Sequence, residues 1–256
     1  MGFLAGATIF LGLPIAVLPR INERIRGFLT AVSTGILLYI LVEIVGETTH
    51  EGVEDLLAGA PWGSPMMWQA LFYAFIFALG LLLGLLGLVY FEKFFIREGK
   101  DLVSPVDRAR QVALMIAIGI GLHNFSEGLA IGYQYSWGQM QLALFLAIGF
   151  GLHNATEGFG IAAPLSGQNP GKGFLFLLGL IGGLPTLLGT ILGGLWELKV
   201  LEVLFMSLAA GSILYVIGEL LHLGRYLRGE ALAEVGLLLG FFLAFGTEML
   251  IVMAGG

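Results

Sequence analysis

Eight stretches of this chain are each apolar for about the thickness of a lipid bilayer. A spanning helix needs about 20 mainly apolar residues. The stretches are 2–19, 28–48, 66–91, 111–133, 139–163, 173–194, 200–221 and 231–253. In hydrocarbon only a helix or a closed barrel satisfies every backbone N–H and C=O. A barrel strand alternates apolar and polar residues, and these stretches do not. Charged residues make up 12% of the chain, about half the 25% usual in a soluble domain. The sequence predicts an all-α integral membrane protein with eight transmembrane helices, residues 1–256 forming one transmembrane domain.

Short breaks such as "PRINERIRG", "GAPWGSP" and "APLSGQNPGKG" separate the spans and leave no room for a soluble domain. "MGFLAGATIFLGLP" has no basic n-region and no cleavage site, so it is expected to stay as the first span. It also lacks the Ser or Thr of a myristoylation motif. There is no cysteine, which excludes disulfides and thiolate metal sites. No basic patch can hold a nucleic acid, and no Walker motif points to ATP.

Lys and Arg fix an expected orientation. The loops after spans 1, 3, 5 and 7 hold Arg20, Arg24, Arg26, Lys93, Arg97, Lys100, Arg108, Arg110, Lys172, Arg225 and Arg228, and the other side holds only Lys199. Both termini should therefore lie outside a plasma (inner) membrane. The loop after span 2 carries Glu47, His50, Glu51, Glu54 and Asp55, an acidic mouth that attracts cations.

The chain repeats itself. "IGIGLHNFSEGLAIG" (Ile118–Gly132) and "IGFGLHNATEGFGIA" (Ile148–Ala162) agree at nine of fifteen positions. "GILLYILVE" (Gly35–Glu43) and "GSILYVIGE" (Gly211–Glu219) agree more loosely. Each pair joins an even span to an odd one, so the partners cross the membrane in opposite directions. Inverted repeats of this kind are common in secondary transporters. They predict a 3+2+3 arrangement, spans 1–3 related to spans 6–8 with spans 4 and 5 between.

The stronger repeat carries chemistry. Residues i and i+4 share a helix face, so His123 points with Glu127, and His153 with Glu157. Asn124 and Asn154 stand about 100° round the helix. Facing each other, the antiparallel spans offer two imidazoles, two carboxylates and two amide oxygens. A carboxylate at the bilayer centre costs a few kcal/mol or more, and one divalent cation cancels two of them. Imidazole with carboxylate suits Zn2+, Fe2+ or Mn2+; Ca2+ and Mg2+ prefer oxygen alone. Gly119, Gly121, Gly128, Gly132, Gly149, Gly151, Gly158 and Gly160 flank the clusters and let membrane helices approach closely.

Further polar residues trace a path. Glu43, Glu47 and His50 step along span 2 toward the outside, and Glu219 and His222 sit near the inner end of span 7. By the inverted repeat, Glu43 corresponds to Glu219. Glu248 in span 8 has no assigned partner. Snorkelling of helix-end residues to water is the competing reading for all of these.

Eight spans, outward termini and HNxxEG motifs in spans 4 and 5 resemble the ZIP (Zrt/Irt-like) divalent metal transporters over essentially the whole chain. The resemblance implies a central, often binuclear metal site. His123, Asn124, Glu127, His153, Asn154 and Glu157 are its ligands by position. It implies transport of zinc, iron, manganese or cadmium toward the cytoplasm, a homodimer in many members, and an elevator-like shift of the metal-bearing helices. Two departures stand out. Ser126 and Thr156 replace the prolines of HNxPEG, and Leu184 in "IGGLP" replaces a glutamate of span 6. The loop before span 4 has no histidine.

The sequence thus favours a secondary transporter, not an enzyme. Its partners are divalent metal ions and the lipid bilayer, and it needs no cofactor, the metal being cargo. The alternative is an intramembrane zinc-dependent hydrolase, which would keep three protein ligands and an open position for water.

Overall fold

The computed structural model describes residues 1–17, 22–96, 105–195, 199–226 and 230–253. These residues fold into helices joined by short turns, with no strand among them. We number the helical stretches α1 (Gly2–Val17), α2 (Glu23–Thr49), α3 (Pro65–Phe91), α4 (Pro105–Ser136), α5 (Met140–Ala162), α6 (Lys172–Gly193), α7 (Lys199–Tyr226) and α8 (Glu230–Met253). Of the positive residues that set the expected orientation, Arg20, Arg97, Lys100 and Arg228 lie outside the described residues, as does the side chain of Arg225.

Local chemistry starts the helices where the sequence breaks. The Asn22 side chain accepts from the Ile25 N–H at 2.9 Å, and Ser64 caps α3 by accepting from Met67 N–H at 3.3 Å. Pro65 follows at the first helical position, where its missing N–H costs nothing. Gly138, at φ 76°, makes the tight turn between α4 and α5.

Among the described residues six helices are long and apolar enough to cross a membrane: α2, α3, α4, α6, α7 and α8. The other two expected spans depart from that measure for different reasons. Helix α1 is short, breaks at Thr8, and closes in a 3-10 turn over Leu13–Val17. The Thr8 hydroxyl donates to the Ala5 carbonyl at 2.7 Å instead of leaving the helix undisturbed. Helix α5 has 23 residues, but His153, Asn154 and Glu157 interrupt its apolar character.

Burial sorts the bundle into an inside and a rim. The most apolar window of α4 is 67% buried, whereas those of α3 and α8 are 17% buried. Phe72, Phe75, Leu82 and Leu83 on α3, and Leu238, Leu239 and Phe242 on α8, face outward as a lipid surface requires. Helix α4 packs on α5, α6 and α7; α5 packs on α1 and α2; α2 pairs with α8, and α3 with α7.

These pairings repeat with opposite partners. A Cβ on Gly84 of α3 would strike the Leu208 carbonyl of α7, and one on Gly240 of α8 would strike the Val32 carbonyl of α2. Gly211 of α7 abuts Leu81 and Leu85 of α3, while Gly35 of α2 abuts Leu237 and Phe241 of α8. Gly12 of α1 meets the backbone of Ala155 and Phe159, and Gly189 of α6 meets that of Phe125 and Leu129. Each of these contacts in one half thus has a counterpart at the same register in the other, with α1, α2, α3 and α4 exchanged for α6, α7, α8 and α5. Gly6 and Gly183 exchange with each other and touch backbone to backbone, so the line relating the halves passes between them.

Overpacking a tight contact costs about 1–3 kcal/mol, and a carbonyl cannot rotate away as a side chain can. Gly84→Leu and Gly240→Leu should each lower the midpoint of thermal unfolding in detergent. Gly87→Leu, with nothing within 4 Å of its Cβ position, should leave it unchanged.

Candidate metal centre

Helices α4 and α5 run antiparallel because only a three-residue turn joins them. That places HNxxEG of one helix beside HNxxEG of the other. His123, Asn124, Glu127, His153, Asn154 and Glu157 are all buried. The two imidazole rings stand 5.9 Å apart, centre to centre. His123 Nε2 lies 3.4 Å from Glu127 Oε1 and 3.9 Å from Glu157 Oε1. His153 Nε2 lies 3.7 Å from the same Glu157 oxygen.

The histidine–glutamate separations are long for hydrogen bonds. They match another geometry. Zn2+ holds nitrogen and oxygen ligands at 2.0–2.2 Å in a tetrahedron, which sets neighbouring ligand atoms about 3.3 Å apart. Both His123 nitrogens, His153 Nε2, Glu127 Oε2 and both Glu157 oxygens are buried without a hydrogen-bond partner. Buried polar groups are normally paired, and unpaired charges are the costliest of all. A divalent cation would take one nitrogen from each imidazole and an oxygen from each carboxylate, four ligands at once.

The asparagines aim the cluster. Asn124 Nδ2 donates to the Gly182 carbonyl of α6 at 3.0 Å, and Asn154 Nδ2 donates to the Ala5 carbonyl of α1, also at 3.0 Å. With the amide nitrogens fixed, the Asn124 and Asn154 Oδ1 atoms remain buried and unpartnered. Glycine makes these anchors reachable. Gly128 presses on α6 at Thr186, and Gly158 presses on α1 at Ile9. The motif glycines therefore bring α4 to α6 and α5 to α1, while α4 and α5 keep the gap that the imidazoles occupy.

Neither helix unwinds at the site; both run continuously through their motifs. Thr156 Oγ1 donates to the His153 carbonyl at 2.7 Å, while Ser126 Oγ is buried without a partner. Leu184 sits on an exposed face of α6, so that departure leaves no gap among the buried donors.

Glu248, unassigned from sequence, joins Glu43 and His153 in a second group whose potential ligand atoms lie within 4.8 Å of one another. Glu43 Oε2 is buried without a hydrogen-bond partner. The signal for this pair was the weak α2/α7 repeat, which pointed to Glu43 but named no partner on α8. The other path residues scatter more. Glu47 lines a small recess with Thr48, Lys199 and Glu202. His50 pairs with Asp55 at 3.6 Å on the exposed end of α2, beyond Thr49. The Glu51 side chain lies outside the described residues. His222 is exposed on α7. Glu219 is gripped by Arg108, which also binds Glu92 at 2.6 Å.

A family model described as the ZIP zinc transporter matches residues 97–246. The match opens just before α4 and takes in α5, α6, α7 and most of α8. Helices α1–α3 precede the matched residues. No curated protein matches the chain.

A ligand that binds only the folded state stabilises it by about 2.7 kcal/mol at a hundredfold its Kd. Zn2+ at that excess should raise the unfolding midpoint of the purified protein. The rise should vanish in His123→Ala and in Glu157→Gln, and persist in His50→Ala.

Proposed function

The chain belongs to the ZIP zinc transporter family, and on that premise we propose that it is a secondary transporter carrying divalent transition-metal ions, Zn2+ first and Fe2+, Mn2+ or Cd2+ with it, toward the cytoplasm. Its ligands in this reading are His123, Asn124, Glu127, His153, Asn154 and Glu157. The observation that carries it is the concentration of unpartnered buried donors on α4 and α5 at metal-ligand spacing.

The residues divide the work. Glu127 and Glu157 neutralise the ion and drop its hydration shell. His123 and His153 select borderline metals over Ca2+ and Mg2+. Asn124 and Asn154 contribute weak amide oxygens and, through Gly182 and Ala5, tie α4 to α6 and α5 to α1. These four helices can then move the ion as one block against α2, α3, α7 and α8, as one bundle of an inverted-repeat transporter shifts against the other. The exchanged glycine contacts support a 3+2+3 arrangement of eight spans within one domain. The Lys and Arg distribution supports placing the ends of α2 and α8 that carry Glu43 and Glu248 outside, and the end carrying Arg108 inside. Glu43, Glu47 and His50 then flank uptake, and Glu219 and His222 flank release.

No observation favours the zinc hydrolase. An enzyme needs one pocket open to substrate, whereas acids flank this centre toward both ends of the bundle.

Sealed liposomes containing the protein and a Zn2+-sensitive dye test the reading. Wild-type protein should admit Zn2+, and Glu127→Ala or Glu157→Ala should reduce the flux to that of empty liposomes with the unfolding midpoint retained. Folded wild-type protein that passes no divalent ion would sink the proposal.

A further inference from the structure

The two halves correspond residue by residue, which allows their ends to be compared. In the register set by the glycine contacts, Tyr39, Glu43 and Glu248 of one half correspond to Tyr215, Glu219 and Glu92 of the other. The chain has therefore built the same tyrosine and pair of carboxylates twice. At one end, Glu43 and Glu248 offer ligand atoms within 4.8 Å of one another and of His153, which they share with the central cluster, and Glu43 Oε2 is buried without a hydrogen-bond partner. At the other end, a cation already fills the pair. Arg108 donates from Nη1 to Glu92 Oε1 at 2.6 Å and from Nη2 to Glu219 Oε2, and the Tyr215 hydroxyl donates to Glu92 Oε2. The Arg108 side chain is 19% exposed, and those of Glu92 and Glu219 are 6% and 18% exposed.

Arg108 is what breaks the symmetry. The repeat that equates His123 with His153 equates Arg108 with Gly138, a turn residue without a side chain. Helix α4 starts at Pro105, whereas α5 starts only at Met140, so α5 lacks the first turn from which Arg108 reaches inward. We propose that Glu219 and Glu92 are a second copy of the cation site formed by Glu43 and Glu248, and that Arg108 is a tethered cation closing that copy to the divalent ion. The proposal deepens the transport reading and rests on it. An ion leaving the central cluster displaces the guanidinium from the carboxylates, and the guanidinium returns once the ion has gone. A planar guanidinium suits this role because its two arms meet two carboxylates at once.

Equilibrium dialysis of the purified protein against Zn2+ alone, with metal counted per chain, tests it. Arg108→Gln should bind one more ion per chain than the wild type, and adding Glu219→Gln should remove that gain. Arg108→Lys keeps the charge but reaches the carboxylates from a single point. It should gain the same ion at a zinc concentration at least tenfold higher than Arg108→Gln needs, and it serves alone if Arg108→Gln does not fold. An unchanged count in the folded variants, with only a lower unfolding midpoint, makes Arg108 a structural ion pair and overturns the proposal. Glu157→Gln separates this from the transport reading. If it leaves the wild-type count and the flux intact, the central centre is wrong whatever Arg108 does.

Discussion

The structure depends on the cost of burying carboxylates without a counter-charge. Glu157 has no accessible surface and neither of its oxygens finds a donor; Glu127 is nearly as enclosed. Removing an ionised carboxylate from water costs several kcal/mol even after relaxation. Arginine meets that cost at Glu92 and Glu219, but among the described residues no arginine or lysine pairs with Glu127 or Glu157. One divalent cation cancels both charges at once, and in the transport reading that ion is the cargo.

Holding the donors apart is as important as burying them. Had the motif glycines packed α4 on α5, the imidazoles would have been squeezed out of the gap. They face α6 and α1 instead, where Gly128 and Gly158 let backbones touch. The asparagines then fasten each motif helix to its outer neighbour through a carbonyl. Close approach on one side of each helix thus leaves His123 Nε2 and Glu157 Oε1 facing each other at 3.9 Å across the gap on the other.

Much of this was legible in the sequence, and the reasons are physical. Period and length reveal membrane helices, because lipid tolerates few alternatives. His123/Glu127 and His153/Glu157 were readable because i and i+4 must share a face. Glu248 was not, because a lone acid near a helix end looks the same whether it faces lipid headgroups or a partner on another helix. Arg108 reads in sequence as a loop charge; in the structure it lies in the first turn of α4 and its side chain binds Glu92 and Glu219. Thr8 was silent as well. Nothing local marks the break in α1, whose counterpart in α6 is Pro185, a residue that interrupts a helix by its own chemistry.

Inverted duplication makes the two ends of the bundle counterparts of each other, and alternating access needs only that the two halves take different conformations and exchange them. In this chain the ends also differ in their residues. The centre of the bundle keeps the symmetry, since both motifs, both asparagine anchors and the glycine contacts repeat in register. The difference lies in one added helical turn. Extending α4 back to Pro105 brings a positive charge to one carboxylate pair, while among the described residues its twin, beside His153, has no arginine or lysine paired with it. A small change in helix length, placed where the loops meet the bundle, is enough to make the two ends of a duplicated fold differ.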